Sequence, residues 1–304
     1  MSGVRFVRTD VSTLAPYVPE LRRLEQSIRY PLSDGVEHFF IDHGPEYHPF
    51  FSGLGEAHFL LALRGERVIG SIVGVARSLS VGGRELRALY LCDLKVAPEE
   101  RGQGLSRRLI QVGLGHVFRD RELRRTRFFY GAAMRGAQGD VMRSAQGAHP
   151  FKLGSLSARL KLYFASPEAL ARLELAGAPP PPRAPGAVLG PSVRVDEPGL
   201  LSTAGRKDLR LVSSGQPWPL IHLPLGPEAW RPSWGAYLRQ CGEAIVSRGL
   251  PGSACFALDE RLEDHVTWLS SQGIQPGAVC TVYSLRLSLS RTDVTWVHMP
   301  TSEI

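Results

Sequence analysis

The chain has 304 residues, of which 43% are apolar, and a formal net charge of +7. This length and apolar content allow a sizeable core and suffice for two domains. Its four cysteines have neither Cys-x-x-Cys spacing nor the density of a disulfide framework. No apolar leader and no stretch able to cross a bilayer is evident. We therefore expect a cytoplasmic protein with reduced cysteines and no membrane partner.

The first recognisable pair of elements is a β-hairpin. Two apolar runs, residues 58–63 and 68–75, flank the polar turn 64–67, which contains a glycine. Apolar runs separated by such a turn predict two antiparallel strands. Upstream, the segment 30–51 is rich in aromatic residues and carries three histidines at five-residue intervals. That interval places them on no common helix or strand face, so it predicts no metal site.

The most informative segment is 88–110, which reads ALYLCDLKVAPEERGQGLSRRLI. It predicts a strand, a glycine turn and an amphipathic helix. Backbone N–H groups converge on an anion at such a helix start, and Gly102 and Gly104 let the backbone approach it closely. Arg101 adds charged donors at the same point. The segment therefore predicts an anion-binding site.

The segment matches neither of the two common nucleotide-binding motifs. No Gly-Lys-Ser/Thr follows the loop, as a Walker A motif requires, and Arg107 stands where a dinucleotide fingerprint needs its third glycine. A surface turn that happens to contain two glycines is the simpler alternative. The strand before the loop and the helix after it favour a binding site.

The loop resembles motif A of the GCN5-related N-acetyltransferase (GNAT) family, which reads Gln/Arg-x-x-Gly-x-Gly/Ala after a strand ending near Val-x-Pro. Arg101-x-x-Gly104 and Val96-Ala97-Pro98 match this pattern, and Ser106 replaces the usual glycine or alanine. The hairpin before the motif and the strands predicted at 127–133 and 156–164, with a short helix near 140–148, extend the resemblance over most of residues 1–165. The resemblance implies an α+β fold (α/β three-layer) with a mixed central sheet.

The resemblance also implies a function, the transfer of an acyl group from acetyl-CoA or another acyl-CoA directly to an amine, without a metal. In the family, the motif A strand receives the acyl-pantetheine arm, the amide near Val96 faces the thioester oxygen, and the loop binds the pyrophosphate. The implied cofactor-binding residues are Leu94, Lys95, Val96, Arg101, Gly102, Gln103, Gly104, Leu105 and Ser106.

Asp93 is the implied catalytic residue, since an acidic residue there acts as a base in several family members, usually through water. Strand alternation places it on the opposite face from Cys92 and Leu94. An aspartate held by backbone donors or by arginine is the alternative, and a pKa raised by burial would favour catalysis. The family often uses a tyrosine after the strand at 127–133 as general acid, but residues 140–149 contain none. We therefore assign no general acid.

A proline-rich segment at 178–186 predicts a spacer, or a polyproline ligand for a partner domain. We thus expect an N-acyltransferase domain at 1–176, a linker at 177–190 and a smaller α+β domain at 191–304. In the latter, helices at 234–247 and 260–271 alternate with strands at 254–258 and 279–289. This order copies the first domain without its loop, which predicts a degenerate GNAT-like repeat or an unrelated α+β domain.

Other functions remain open at this point. A non-catalytic acyl-CoA sensor would keep the loop without needing a base, and a longer or carrier-protein-bound acyl donor is a further alternative. Five arginines between residues 119 and 127 suit an RNA binder, but the interleaved aromatic residues of such a site are absent. We expect no nucleic-acid partner and an amine acceptor that is a small molecule or a peptide. The segment 30–51 suits either acceptor recognition or an aromatic mini-core, and the oligomeric state is open.

Overall fold

The structure, a computed structural model, describes residues 3–32, 36–81, 84–136, 139–140, 155–180, 200–223, 233–286 and 299–304. Its helices are α1 (Val18–Ser27), α2 (Pro49–Leu54), α3 (Leu105–Arg119), α4 (Pro167–Ala171), α5 (Trp234–Ser247) and α6 (Glu263–Ser271). Its strands are β1 (Val4–Asp10), β2 (Tyr30–Leu32), β3 (Glu37–Asp42), β4 (Glu56–Arg64), β5 (Arg67–Val81), β6 (Arg84–Val96), β7 (Phe128–Gly136), β8 (Gly139–Asp140), β9 (Ser155–Ala165), β10 (Leu201–Ser202), β11 (Asp208–Leu211), β12 (Pro217–Trp218), β13 (Leu220–His222), β14 (Ser253–Asp259) and β15 (Pro276–Arg286).

A mixed sheet of eleven strands dominates the described part of the chain. Its order is β1-β4-β5-β6-β7-β15-β9-β14-β13-β10, with β8 paired to β7. A second sheet has the order β12-β11-β3-β2. The predicted α+β fold with a mixed central sheet is confirmed, as are the hairpin β4–β5, the strands β6, β7 and β9, and helix α3. The short helix predicted near 140–148 lies almost wholly outside the described residues.

Helix α3 covers one face of the sheet because its apolar positions recur at helical spacing. Its buried residues are Leu105, Leu109, Ile110 and Val117. The first three pack with Leu60, Ile69 and Ile72 of β4 and β5, and Val117 packs with Leu89 and Phe129. Helices α1 and α2 cover the other face, where Leu21, Leu24 and Phe51 join the largest apolar cluster. Strands β4 and β5 therefore lie between two helical layers.

The two halves of the chain share both sheets. Strand β15 lies between β7 and β9 and pairs with each of them antiparallel. In the small sheet, β11 pairs with β3, Leu209 lying opposite Ile41. The predicted order α5, β14, α6, β15 of the second half is confirmed. The division at 177–190 stays a prediction, and residues 181–190 of that linker lie outside the described residues.

Two predictions about composition can be compared with the structure. All four cysteines have free thiols, as expected for a reduced protein. Among the described residues, the helices are too short or too polar to cross a bilayer.

Candidate active site

A wedge-shaped gap opens in the middle of the large sheet, between β6 and β7. These parallel strands pair over three positions only, from Ala88 opposite Phe128 to Tyr90 opposite Tyr130. Beyond Tyr90, β6 continues to Val96, and β7 continues to Gly136 while pairing with β15 on its other edge. Among the described residues, the β7-facing edge of β6 therefore has no strand partner from residue 91 to residue 96, and an extended ligand could pair with it.

The backbone of Val96 faces this gap. The N–H of Ala97 donates to the C=O of Ile69 at 2.9 Å, which makes residue 97 part of a hydrogen-bonded pair with β5. Because such pairs alternate along an antiparallel ladder, Val96 directs its own N–H and C=O to the opposite edge. Arg101 Nε approaches this C=O at 3.4 Å. The structure thus places the Val96 N–H where a donor could meet a carbonyl oxygen in the gap.

The predicted anion loop lies at the open end of the gap. Gly102 (φ 78°) and Gly104 (φ 71°) both adopt left-handed backbone, and a Cβ added to either would meet nothing within 4 Å. Arg101 and Gln103 are exposed beside them.

Gly104 is the N-cap of α3, and no side chain caps this helix. The first N–H that bonds within the helix belongs to Arg108, which donates to the C=O of Gly104 at 3.1 Å. The N–H groups of residues 105–107 therefore have no partner within the helix and are available to an anion. This arrangement fits an anion such as a phosphate group.

The corresponding helix of the second half is built differently. The N-cap of helix α5 is Ser233, whose hydroxyl accepts a hydrogen bond from the N–H of Ala236 at 3.3 Å. Its first residue, Trp234, is completely buried. Within the described residues, this helix start therefore has a side-chain cap and a buried indole where α3 has an uncapped glycine.

A β-bulge in β6 sets the direction of Asp93. The pairing of β5 with β6 shifts register between Ser71 and Val73, so Ile72 lies opposite both Asp93 and Leu94. Asp93 adopts left-handed backbone with φ 53°. Leu94 packs with the α3 cluster, whereas Asp93 contacts Tyr47 on the other face, where Cys92 also packs.

The predicted alternation is therefore partly wrong. Asp93 does lie on the opposite face from Leu94, but it shares its face with Cys92. The reason is the extra residue of the bulge, which reverses the alternation between positions 92 and 93.

Asp93 belongs to a buried ionic cluster, formed by Glu25, His43, Tyr47, Asp93 and Lys95. Lys95 Nζ lies 2.7 Å from Glu25 Oε1 and also contacts Asp93 Oδ1. Tyr47 donates its O–H to Asp93 Oδ2, and His43 contacts Glu25 through its ring and donates its backbone N–H to the same carboxylate at 3.2 Å. The Lys95 side chain is committed to this cluster, and its backbone, two residues before Ala97, is directed towards β5. Lys95 therefore shapes the strand that borders the gap and leaves contacts with a ligand there to its neighbours.

Asp93, Lys95 and Tyr47 each keep one protonation state at neutral pH. Burial raises the pKa of Asp93, but the Lys95 ammonium and His43, with hydrogen bonds from Lys95 and Tyr47, outweigh it, so the pKa lies below its ordinary value. Burial lowers the pKa of Lys95, but Asp93 and Glu25 raise it by more. Burial and the nearby carboxylates raise the pKa of Tyr47. Asp93 is therefore ionised, and the raised pKa that would have favoured a catalytic base is not observed.

The same cluster bears on two predictions about the segment 30–51. Ligand atoms of Glu25, His43 and Asp93 all lie within 4.8 Å of one another, a spacing open to a metal ion. The Lys95 ammonium, however, contacts the carboxylates of both Glu25 and Asp93, so a metal ion bound by them would lie close to this positive charge. Of the aromatic residues in this segment, Tyr47, Phe50 and Phe51 are buried and pack against one another, so they form a mini-core.

Two features of the site come from the second half and were not found in the sequence. Lys207 Nζ donates to the main-chain oxygen of Ile304 at 2.5 Å and lies 4.6 Å from the centre of the Phe50 ring. Burial lowers the pKa of Lys207 to about 8, partly offset by Cys92 and Asp93. Lys207 directly precedes β11, and the pairing of β11 with β3 brings it to the site. No sequence motif surrounds Lys207, so nothing in the sequence indicated that it would lie there.

The second feature is the segment 299–304, which lies against Arg77 of β5 and Tyr90, the last residue of β6 that pairs with β7. Glu303 binds Arg77 through two contacts, of 2.6 Å and 3.1 Å, and Tyr90 donates its O–H to the C=O of Glu303 at 2.7 Å. Met299 is fully buried in the main apolar cluster. These residues lie more than two hundred positions from Arg77 in the chain, so no local pattern could have indicated the contact.

Comparison with known proteins agrees with this geometry. Residues 39–124 match the family described as acetyltransferase (GNAT) domain, a range that includes β4, β5, β6, the glycine loop and α3. No curated protein matches the chain.

Among solved structures, N-myristoyltransferase from Saccharomyces cerevisiae with bound myristoyl-CoA has 9% identity and a TM-score of 0.51, over 94% of this chain and 83% of that protein. A tandem GNAT protein from the clavulanic acid biosynthesis pathway has 12% identity and a TM-score of 0.48, over 95% and 100%. A GCN5-related N-acetyltransferase from Sphaerobacter thermophilus has 13% identity and a TM-score of 0.48, over 95% and 98%. At these identities the first of the three likenesses establishes a shared fold and nothing finer.

Proposed function

We propose that this chain, whose residues 39–124 match the family described as acetyltransferase (GNAT) domain, transfers an acyl group from acyl-CoA directly to an amine. One observation carries the proposal: the unpaired edge of β6, with the Val96 N–H directed into the gap, ends at the uncapped start of α3. An acyl-pantetheine arm and its pyrophosphate need these two features next to each other.

In this proposal the donor lies along β6. Arg101 and the backbone N–H groups of residues 102–106 hold the pyrophosphate by charge-assisted hydrogen bonds. The backbone of residues 94–96 pairs with the pantetheine arm. The Val96 N–H then donates to the thioester oxygen, where negative charge develops as the amine attacks.

The chemistry is a direct displacement. The amine nitrogen bonds to the thioester carbon, the C–S bond breaks, the amine loses a proton and the thiolate takes one up. Asp93 is the proposed proton acceptor, either directly or through a water molecule. Since a carboxylate with a lowered pKa is a weak base, we expect a contribution near the lower end of the usual ~10²–10⁴-fold range. A thiolate with a pKa of about 8.5, like that of cysteine, can leave without a dedicated acid.

The acceptor in this proposal is an amine of a small molecule or a peptide, and acetyl-CoA is the simplest donor. A non-catalytic acyl-CoA sensor is the competing function. The ion pair between Asp93 and Lys95 supports it, because this pair would stabilise the fold even if Asp93 took no part in catalysis.

The binding site is tested by calorimetric titration of acetyl-CoA into the wild-type protein and into Gly104→Asp and Gly104→Asn. Both variants place a similar side chain on the same left-handed backbone, and Asn and Asp tolerate that conformation best after glycine. They differ in charge only, so repulsion of the pyrophosphate should abolish binding in Gly104→Asp and merely weaken it in Gly104→Asn. Equal binding by the two variants would exclude this loop as the pyrophosphate site.

A further inference from the structure

A cavity of about 60 Å³ lies beneath α3, on the α3 face of the sheet. Its walls are almost entirely apolar and include Leu60, Ile72, Leu89, Leu91, Ile110 and Val117. Arg8, His58 and His116 form its polar rim. Arg8 is engaged by Asp120 at 2.7 Å, and burial lowers the pKa of both histidines, which keeps their rings neutral. The cavity therefore suits an uncharged apolar group.

Two glycines on facing walls keep this space open. A Cβ on Gly113 of α3 would approach Leu60 Cδ2 at 3.6 Å, and a Cβ on Gly74 of β5 would approach Leu89 Cδ1 at 3.4 Å. A glycine inside a helix lowers helix stability relative to alanine by about 1 kcal/mol. Larger residues at these positions would project into the cavity, so glycine there maintains its volume.

The cavity borders the gap between β6 and β7. Leu91 is the first residue of β6 beyond its last pair with β7, and it lines the cavity. Its side chain packs both against the apolar cluster that contains Leu89 and Val117 and against Ala133 and Tyr283 on the far side of the gap. Ile72, another wall residue, lies on β5 two positions from Gly70, which pairs with Val96. Two positions along a strand separate Ile72 from Gly70 by about 7 Å.

We propose that this cavity receives the distal part of a medium-chain acyl group, so that the preferred donor is a medium-chain acyl-CoA rather than acetyl-CoA. The inference rests on the proposed function, which places the thioester at Val96. An acetyl group there would end short of Ile72, whereas an extended octanoyl chain reaches past Leu94 into the space between Ile72 and Leu91. Since a water molecule needs ~10–15 Å³ of such volume, the cavity holds about four to six groups of that size, comparable to the end of an octanoyl chain.

The test is calorimetric titration of acetyl-CoA and octanoyl-CoA into the wild-type protein, Gly113→Leu and Gly115→Leu. Gly115 lies on the same helix, but its Cβ would meet only Arg119 Nη1, at 3.6 Å, so Gly115→Leu controls for the added bulk and helix propensity. Burial of about four methylenes should make wild-type affinity for octanoyl-CoA on the order of a hundredfold higher than for acetyl-CoA. Gly113→Leu should abolish this preference, and Gly115→Leu should retain it.

Equal wild-type affinity for the two esters, or a preference that survives in Gly113→Leu, would overturn the inference and identify the cavity as a packing void. That result would leave the proposed function intact, because acetyl-CoA would still bind. If neither ester binds, both the inference and the proposed function are overturned. Circular dichroism tests whether Gly113→Leu is folded. If the variant is unfolded, the comparison of the two esters in the wild-type protein decides whether the inference holds.

Discussion

Tyr47 and Asp93, the two non-glycine residues with left-handed backbone in the described part of the chain, hydrogen-bond to each other through their side chains. Their φ angles are 66° and 53°. Such conformations cost roughly 1–3 kcal/mol each and persist where the surroundings enforce them. Here the β-bulge opposite Ile72 and the contact with Lys95 hold Asp93, and the packing of Phe51 and His43 holds Tyr47. The strain is thus concentrated at the proposed catalytic carboxylate.

Asp93→Asn should separate the two candidate functions. Asparagine keeps the shape and tolerates the left-handed backbone, but it removes the negative charge and the proton acceptor. For an acyltransferase we expect turnover to fall by roughly 10²-fold or more while the affinity for acyl-CoA changes little. Steady-state acyl transfer to a panel of amines and calorimetric binding of acyl-CoA provide the two readouts. A sensor would show no turnover in the wild type and no change in acyl-CoA affinity in the variant.

Tyr47→Phe should destabilise the protein without removing any ligand contact. It deletes one hydrogen bond to a buried carboxylate, which typically costs about 1–3 kcal/mol. Urea denaturation measures the loss. Tyr17→Phe, the same deletion at a half-buried tyrosine in the first half, serves as the control and should have a smaller effect. If the two variants lose equal stability, the Tyr47–Asp93 hydrogen bond contributes nothing specific.

Local patterns were sufficient for the loop and its helix. Gly104 and the apolar spacing that begins at Leu105 predicted the start of α3 correctly, because both signals come from residues that are close together in the sequence. The bulge at Asp93 could not be predicted in this way. It depends on how β5 and β6 align, and simple alternation placed Cys92 on the wrong face.

The contribution of the second half to the site was also beyond reach of the sequence. The positions of Lys207 and Glu303 depend on pairing between distant strands, with β15 inserted between β7 and β9. Element order in the second half predicted its helices and strands, but it gave no indication that they would extend the first half's sheet. Strand pairing over such separations leaves no periodic signal in either strand.

His222 should make stability depend on acid pH. Burial lowers its pKa to about 3, with a further contribution from Lys207, and its Nδ1 lies 2.9 Å from Thr301 Oγ1. Below pH ~6.5 the unfolded chain binds a proton that the folded protein does not. Stability should therefore fall as the pH falls from about 6.5 towards 3, by at most ~1.4 kcal/mol per pH unit from this residue.

The contribution of His222 is isolated by comparison with His222→Gln, which keeps a hydrogen-bonding side chain but does not titrate. Urea denaturation of both proteins between pH 7.5 and 4.5 should give curves that diverge below pH 6.5, the wild type losing more. Parallel curves would show that His222 is protonated in the folded protein as readily as in the unfolded chain.

Arg77→Met should be the most destabilising of these changes. The Arg77 and Glu303 side chains are 3% and 5% exposed, and removal of one member of a buried ion pair typically costs about 3–5 kcal/mol. Burial already raises the pKa of Glu303, an effect that Arg77 opposes. Without Arg77, Glu303 should take up a proton more readily, so the variant should lose less stability at pH 5 than at pH 7.5. The double variant Arg77→Met/Glu303→Gln should recover part of the loss at pH 7.5, because it leaves no unpaired charge. Urea denaturation of the wild type and the two variants measures these differences, and a double variant less stable than Arg77→Met would show that the buried charge of Glu303 is not the cause.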